Sequence, residues 1–575
     1  MQYGAKMDLK KHISLILLLL TAFSANAQIT FPPSSPREVR AVWLTTIGGL
    51  DWPKEYARTD DGIERQKKEL CEQLDRLHKL GINTVLLQTR VRGTVIYPSD
   101  IEPWDGCLSG RPGVSPGYDA LAFAVDECHK RGMTIQAWVV AFPLMNMKVA
   151  RQLGKQSLPS SRPELCRKAG NQWMMDPGVP GTDDYLANLC AEIVSKYDVD
   201  GIHLDYIRYP EHSIPFNDKN TYRRYGKGME RNEWRRSNIT RCVSKIHSAI
   251  KKLKPWVVLS CSPIGKHDDL PMFSSYGWNA RTAVAQDVQA WMKMGIMDEI
   301  FPMMYFKENH FFPFALDWVE DCGGRIVAPG LGVYLLAPEE KDWELETITR
   351  QLSFLRIIRA CGQAYFRSKF VLDNEKGIAD YLHDFFYYSP ALTPALTWED
   401  SIAPEKPGNI TIDKGKYEWR IAWDASHDPT PGTGVRYNIY CSSTYPVEIG
   451  KGAELMATYL ERPEYTLDMS SPYDRSTFYA VTAIDRFGNE SEPAGINTPC
   501  VINKKEAELE VENGNVHLPG LDAKLIIVTD GEGREISITQ YDTLLQVKTF
   551  APGLYKVYSQ GKRGGPHRVG TFLVK

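Results

Sequence analysis

The stretch VDGIHLDYIRYP, residues 199–210, decides how the rest of the chain is to be read. Ile202 and Leu204 alternate with His203 and Asp205 as in a strand, and Tyr206, Arg208, Tyr209 and Pro210 follow where that strand must stop. Proline has no N–H to give to a ladder, so Pro210 marks the exit. Asp205 is therefore expected at the carboxyl end of a strand, the edge on which parallel α/β folds assemble their sites.

Outward from this strand one unit repeats: amphipathic helix, glycine or turn, short apolar strand. Leu70, Leu74, Leu77 and Leu80 recur at helical spacing ahead of Gly81, and 82–88 reads as a strand. Helix 120–131 leads to strand 133–140, helix 185–197 to 200–206, helix 239–253 to 256–262, helix 283–294 to 299–305, helix 315–321 to 325–333 and helix 342–360 to 363–370. With 39–45 in front, eight strands alternate with helices. That order implies right-handed crossovers, a parallel sheet and, at this count, an α/β chain built on a (β/α)8 TIM barrel. A doubly wound open sheet is the structural alternative, but no GxGxxG or GxxxxGKS/T loop follows an early strand to support it.

The 575 residues exceed what one core organises, so further domains are expected. After Trp398-Glu399-Asp400 the pattern turns to short alternating strands at 419–423, 437–441, 465–467 and 478–484. YAVTAIDRFGNESEP, from Tyr479, resembles the closing strands of a fibronectin type III sandwich, with Trp423 as its core tryptophan. A last segment with strands at 524–529 and 553–558 reads as a small β unit. The expected organisation is a signal peptide over 1–27, the barrel over 28–402, a fibronectin type III-like β-sandwich over 403–502 and a small C-terminal β domain over 503–575. The signal peptide rests on Lys10 and Lys11 ahead of the apolar run 13–23 and on Ala25-Asn26-Ala27 as cleavage site. It implies an exported protein of periplasm, cell surface or extracellular space, with no integral membrane segment once it is removed.

A net charge of -3 and the lack of a long basic run argue against nucleic acid as partner. Eleven cysteines without CxxC pairs resemble neither a disulfide framework nor a zinc site and read as mostly buried thiols.

In a barrel the residues just after each strand converge on one mouth, which here gathers carboxylates, guanidinium groups and aromatic rings. Glycoside cleavage needs this set: one acid protonates the leaving oxygen, and a second attacks the anomeric carbon or activates water. Asp205 is the first catalytic candidate, and Glu308, by position after the sixth strand, is its expected partner. Arg90 and Arg208 are suited by their forked donors to orient a carboxylate or a sugar hydroxyl. Trp52, Trp138, Tyr206 and Tyr305 are the expected aromatic contacts to a polysaccharide. His203, His267, Asp268 and His310 share no ligand-type spacing, and His203 is read as pointing away from Asp205, so neither metal nor cofactor is expected. No G-x-S-x-G elbow supports serine chemistry.

Several blocks also occur in a recognisable order: REVRAVWLTTIGGLDWP from Arg37, QTR ending at Arg90, MDPG from Met175, DVDGIHLDYIRYP from Asp198 and DEIFPMMYF from Asp298. Over roughly 33–387 they resemble the glycosyl hydrolase-like family 10 barrels. The resemblance implies a (β/α)8 fold and glycoside hydrolase activity, which in a characterised branch cleaves peptidoglycan glycan strands stripped of their peptides. Asp205 matches the family's strand-four aspartate, while Tyr206 stands where many members carry a second aspartate. That departure keeps a second reading open, a non-catalytic glycan-binding or envelope scaffold protein that retains the barrel.

Overall fold

A computed structural model describes residues 35–575 apart from 212, 274–276, 388, 415–418, 443–444, 450–453, 468–477, 497–506, 522, 531–533 and 561–566. The expected signal peptide lies outside the described residues. Parallel strands run in chain order as Val39–Leu44, Thr84–Arg90, Thr134–Val140, Gly201–Asp205, Val258–Cys261, Glu299–Ile300, the pair Ile326–Val327 and Gly330–Leu331, and Gly362–Tyr365. The pair is one bent strand. Its first half lies beside the sixth strand and its second half beside the eighth, so the sheet closes into the eight-stranded barrel. The bend falls at Pro329, and a Cβ on Gly330 would meet the Trp43 ring at 2.8 Å, so the strand passes the lumen only without a side chain there.

Alternate residues of each strand explain the apolar runs. Val42, Leu44, Val85, Leu87, Ile202, Leu204 and Leu259 face outward into the core shared with the helices. Val39, Ala41, Trp43, Leu86, Trp138, Val140, Phe301 and Ala364 fill the lumen. The helices that cover the barrel begin at local caps: Thr59 opens Asp60–Lys79, Asp119 opens Ala120–His129 and Glu230 opens Arg231–Leu253, each accepting a first-turn backbone N–H.

Several expected elements come out differently, two of them beside the site. Helix 283–294 is broken into Arg281–Val284 and Val288–Lys293, with Ala285 in the left-handed region between them. The eighth strand stops at Tyr365 and turns into helix Ser368–Leu372, in whose first turn Lys369 N donates to Asp51 Oδ1 at 3.2 Å.

The described residues between 408 and 495 form two antiparallel sheets of three and four strands around Ile421, Trp423, Tyr437, Ile439 and Val481. This sandwich seals the barrel's base through one turn. Phe487 meets Trp256 edge-on and joins the lumen cluster with Leu396 and Ile326. Arg486 donates to Asp198 at 2.8 Å and to Asp200 at 3.4 Å, and Asp200 also holds His129 Nε2 at 2.9 Å. A cavity of about 60 Å³ remains there, lined by Gln136, Glu299, Trp256, Arg486 and Phe487 among others.

Asn503–Lys575 belongs to a separate unit, with a five-stranded and a three-stranded sheet around Val516, Ile526, Val528, Leu545 and Phe572. Among the described residues no helix is long and apolar enough to cross a membrane, and the described cysteines of the barrel, from Cys71 to Cys361, are free thiols.

Candidate active site

Asp205 ends the fourth strand with its carboxyl turned into the mouth, 6% exposed. Three donors hold it: Trp138 Nε1 at 3.1 Å from the third strand, Ser262 Oγ at 3.1 Å just past the fifth, and the backbone N–H of Tyr206 at 2.7 Å. Tyr206 takes the left-handed conformation, φ 51°, which turns the chain out of the strand and aims that N–H back. Burial pushes the Asp205 carboxyl above the usual carboxylate range, against the opposing pull of the Arg208 guanidinium and the three donors.

The surrounding groups are aromatic and cationic. Arg208 lies over the Tyr206 ring at 4.6 Å and the Trp278 ring at 5.4 Å. Tyr305 stacks edge-on against Tyr334, and its buried hydroxyl has no hydrogen-bond partner among the described residues. Burial, with Asp205 beside it, keeps that phenol protonated well above neutral pH. Around one strand-end acid the mouth thus assembles free donors and ring faces, which suits protonation of a sugar oxygen held among aromatics.

Several expected site residues lie elsewhere in this arrangement. Arg90 is fully buried in a fork on Glu102, at 2.8 and 2.6 Å, and also donates to Ala141 O at 2.8 Å; its donors are spent on supporting the second strand. Trp52 is a core ring whose Nε1 donates to Gln66 O at 2.9 Å, with no face left for a sugar. Trp138 is buried too, and acts through its N–H on Asp205 rather than as an open platform. Glu308 is not brought to Asp205: it is solvent-exposed, paired with Arg350 at 3.0 Å. Asp205, Tyr206, Arg208 and Tyr305 do come together.

His203 corrects a misread alternation, since residues two apart share a face, and it points into the lumen beneath Asp205. Burial lowers its imidazole to about 3, so the ring is neutral. Its Nε2 accepts from Trp43 Nε1 at 3.1 Å, and its Nδ1 therefore donates to Ser260 Oγ at 2.8 Å. Ser260 passes a bond of 2.6 Å to Gln136, and Gln136 Nε2 donates to Glu299 at 2.6 Å. Burial pushes Glu299 up to about 7. Sequence alone does not reveal that these residues form one polar stack, that Ser262 donates to Asp205 or that Trp278 lies beside Arg208. The signal of the stack was polar residues at lumen positions of otherwise apolar strands.

The profile of the family described as Glycosyl hydrolase-like 10 matches residues 38–334. Glycosyl hydrolase YngK of Bacillus subtilis (strain 168) is 31% identical over 512 residues, which cover 84% of this chain and 96% of YngK. Glycosyl hydrolase DigH of Escherichia coli (strain K12) is 34% identical over 304 residues, 48% of this chain and 68% of DigH. Among solved structures, the PgaB (BpsB) glycoside hydrolase domain from Bordetella bronchiseptica aligns with a TM-score of 0.44 at 14% identity, covering 61% of this chain and 98% of that domain.

Proposed function

Because the chain belongs to the glycosyl hydrolase-like 10 family and is a glycoside hydrolase, we propose that it is exported and cleaves polysaccharide glycosidic bonds at the barrel mouth, with peptide-free peptidoglycan strands as substrate and Asp205 as acid/base. The observation that carries this reading is the Asp205 carboxyl, buried, oriented by three donors and raised toward the proton-carrying form that a leaving glycosidic oxygen needs. Tyr305 and Tyr206 are read as hydrogen-bonding and stacking the sugar beside it, and Trp138 and Ser262 as fixing the acid's orientation. Export is supported by the charged-then-apolar opening of the chain. The test is release of reducing ends from peptide-free peptidoglycan strands and from a panel of neutral polysaccharides. Wild type is expected to act on the former and Asp205→Asn on neither; equal activity of the two proteins would remove Asp205 from the reaction.

A further inference from the structure

Arg208 differs from the other deeply buried arginines of the barrel. Arg40 is held by Glu38 at 2.9 Å, and Arg90 by Glu102. Arg208 is 5% exposed, yet among the described residues it forms no ion pair and no hydrogen bond, and its Nε is fully enclosed without a partner. Asp205 does not neutralise it by contact, because the carboxyl oxygens are occupied by Trp138, Ser262 and the Tyr206 N–H. Rings on Tyr206 and Trp278 hold the guanidinium by its face, which leaves the donors on its edge free. A buried guanidinium with no anion in contact is costly, and Asp205 acts on it only across a gap, so a fork kept in this state is complete only with an anion on its free edge. The free edge matches a planar carboxylate, two N–H donors to two oxygens, whereas a neutral sugar offers hydroxyls alone. Trp278, 46% exposed, adds an open ring face for the sugar that carries the anion. Arg92, exposed at the end of the second strand, adds positive field on the Tyr206 side.

We propose that Arg208 is a specificity-determining residue that binds a carboxylate borne by the glycan, so that the mouth selects an acidic polysaccharide over its uncharged counterpart. This rests on the hydrolase reading for where the glycan lies, but it is tested by binding. The probes are peptide-free peptidoglycan strands and the same strands after chemical reduction of their carboxyl groups to alcohols, titrated calorimetrically into the full chain carrying Asp205→Asn. Reduction is expected to weaken binding roughly 10- to 100-fold, the worth of a charge-assisted hydrogen-bond pair. Adding Arg208→Gln should abolish that difference, and Arg208→Lys, which keeps the charge but not the fork, should retain part of it. Equal binding of the two probes, no binding of either, or undiminished discrimination in folded Arg208→Gln would overturn the inference. Wild-type turnover separates the two proposals: cleavage of both probes without preference leaves the hydrolase standing and removes Arg208's role, while selective binding without released reducing ends does the reverse.

Discussion

Asp205 at the mouth and Glu299 at the base are both lumen carboxyls of barrel strands, and burial raises both. Their surroundings diverge. Asp205 has three donors, an unpaired guanidinium nearby and exposed rings at Tyr206 and Trp278, whereas Glu299 has one amide donor and is roofed by Leu396 and Phe487 of the sandwich junction. A buried, raised acid is therefore not in itself a catalytic signature; access and free donors beside it make the difference. Asp200, also at the base, shows the opposite case, held well below the usual carboxylate range by His129, Arg486 and Arg436 despite its burial.

The comparison is broken most directly at the mouth. Asp205→Asn is expected to lower kcat roughly 10²- to 10⁴-fold, the usual worth of a general acid, while changing Tm little, because the amide oxygen in the Oδ1 position keeps the bonds from Ser262 and the Tyr206 N–H and only the Trp138 bond to Oδ2 is lost. At the base, Arg486→Ala should cost about 1–2 kcal/mol in urea unfolding, less than a fully buried pair, since it removes the closest partner of half-exposed Asp198 while Asp200 keeps His129 and Arg436, with kcat preserved. Glu299→Gln tests the sign of the second acid. Its carboxyl binds its proton up to about 7 when folded against 4.5 when unfolded, so its contribution is fully present below pH 4.5 and lost as pH rises through about 7. Wild type should lose roughly 2–3 kcal/mol from this group across that window, and the glutamine variant should not, as Tm measured against pH would show. Parallel pH slopes in the two proteins would contradict the raised carboxyl. The smallest effect is expected from Trp138→Phe: loss of one neutral N–H on Asp205, worth about 1 kcal/mol, should lower kcat several-fold. The same loss should move the descending limb of the pH–rate profile upward, because a donor that favours the ionised form has gone.

The barrel was legible because strands buried on both faces are apolar runs, and because each helix ends in a glycine or turn that hands the chain to the next strand. Asp205, Tyr206, Arg208 and Tyr305 were legible as strand-end residues. Arg90 and Trp52 occupy equally promising sequence positions, but a long side chain can fold back. Arg90 does so onto Glu102, supplied by the loop that returns past the second strand, and Trp52 does so under helix Asp60–Lys79. Glu308 follows a strand whose continuous ladder ends at Ile300, with only isolated bridges at Met303 beyond it, and a short 3-10 turn, Glu308–His310, then carries it to the rim beside Arg350. Ser262 and Glu299 are visible only once register is known, since neighbouring strands must be aligned before a polar residue on one is seen to face a carboxyl on another.

At the seam of the cylinder, Gly330 leaves the indole of Trp43 the room it needs to donate to His203. Any side chain there would displace that indole, and the disturbance would run through Ser260 and Gln136 to Glu299 along the length of the lumen. Closure of the wall and order of the interior thus hang on the same missing methyl.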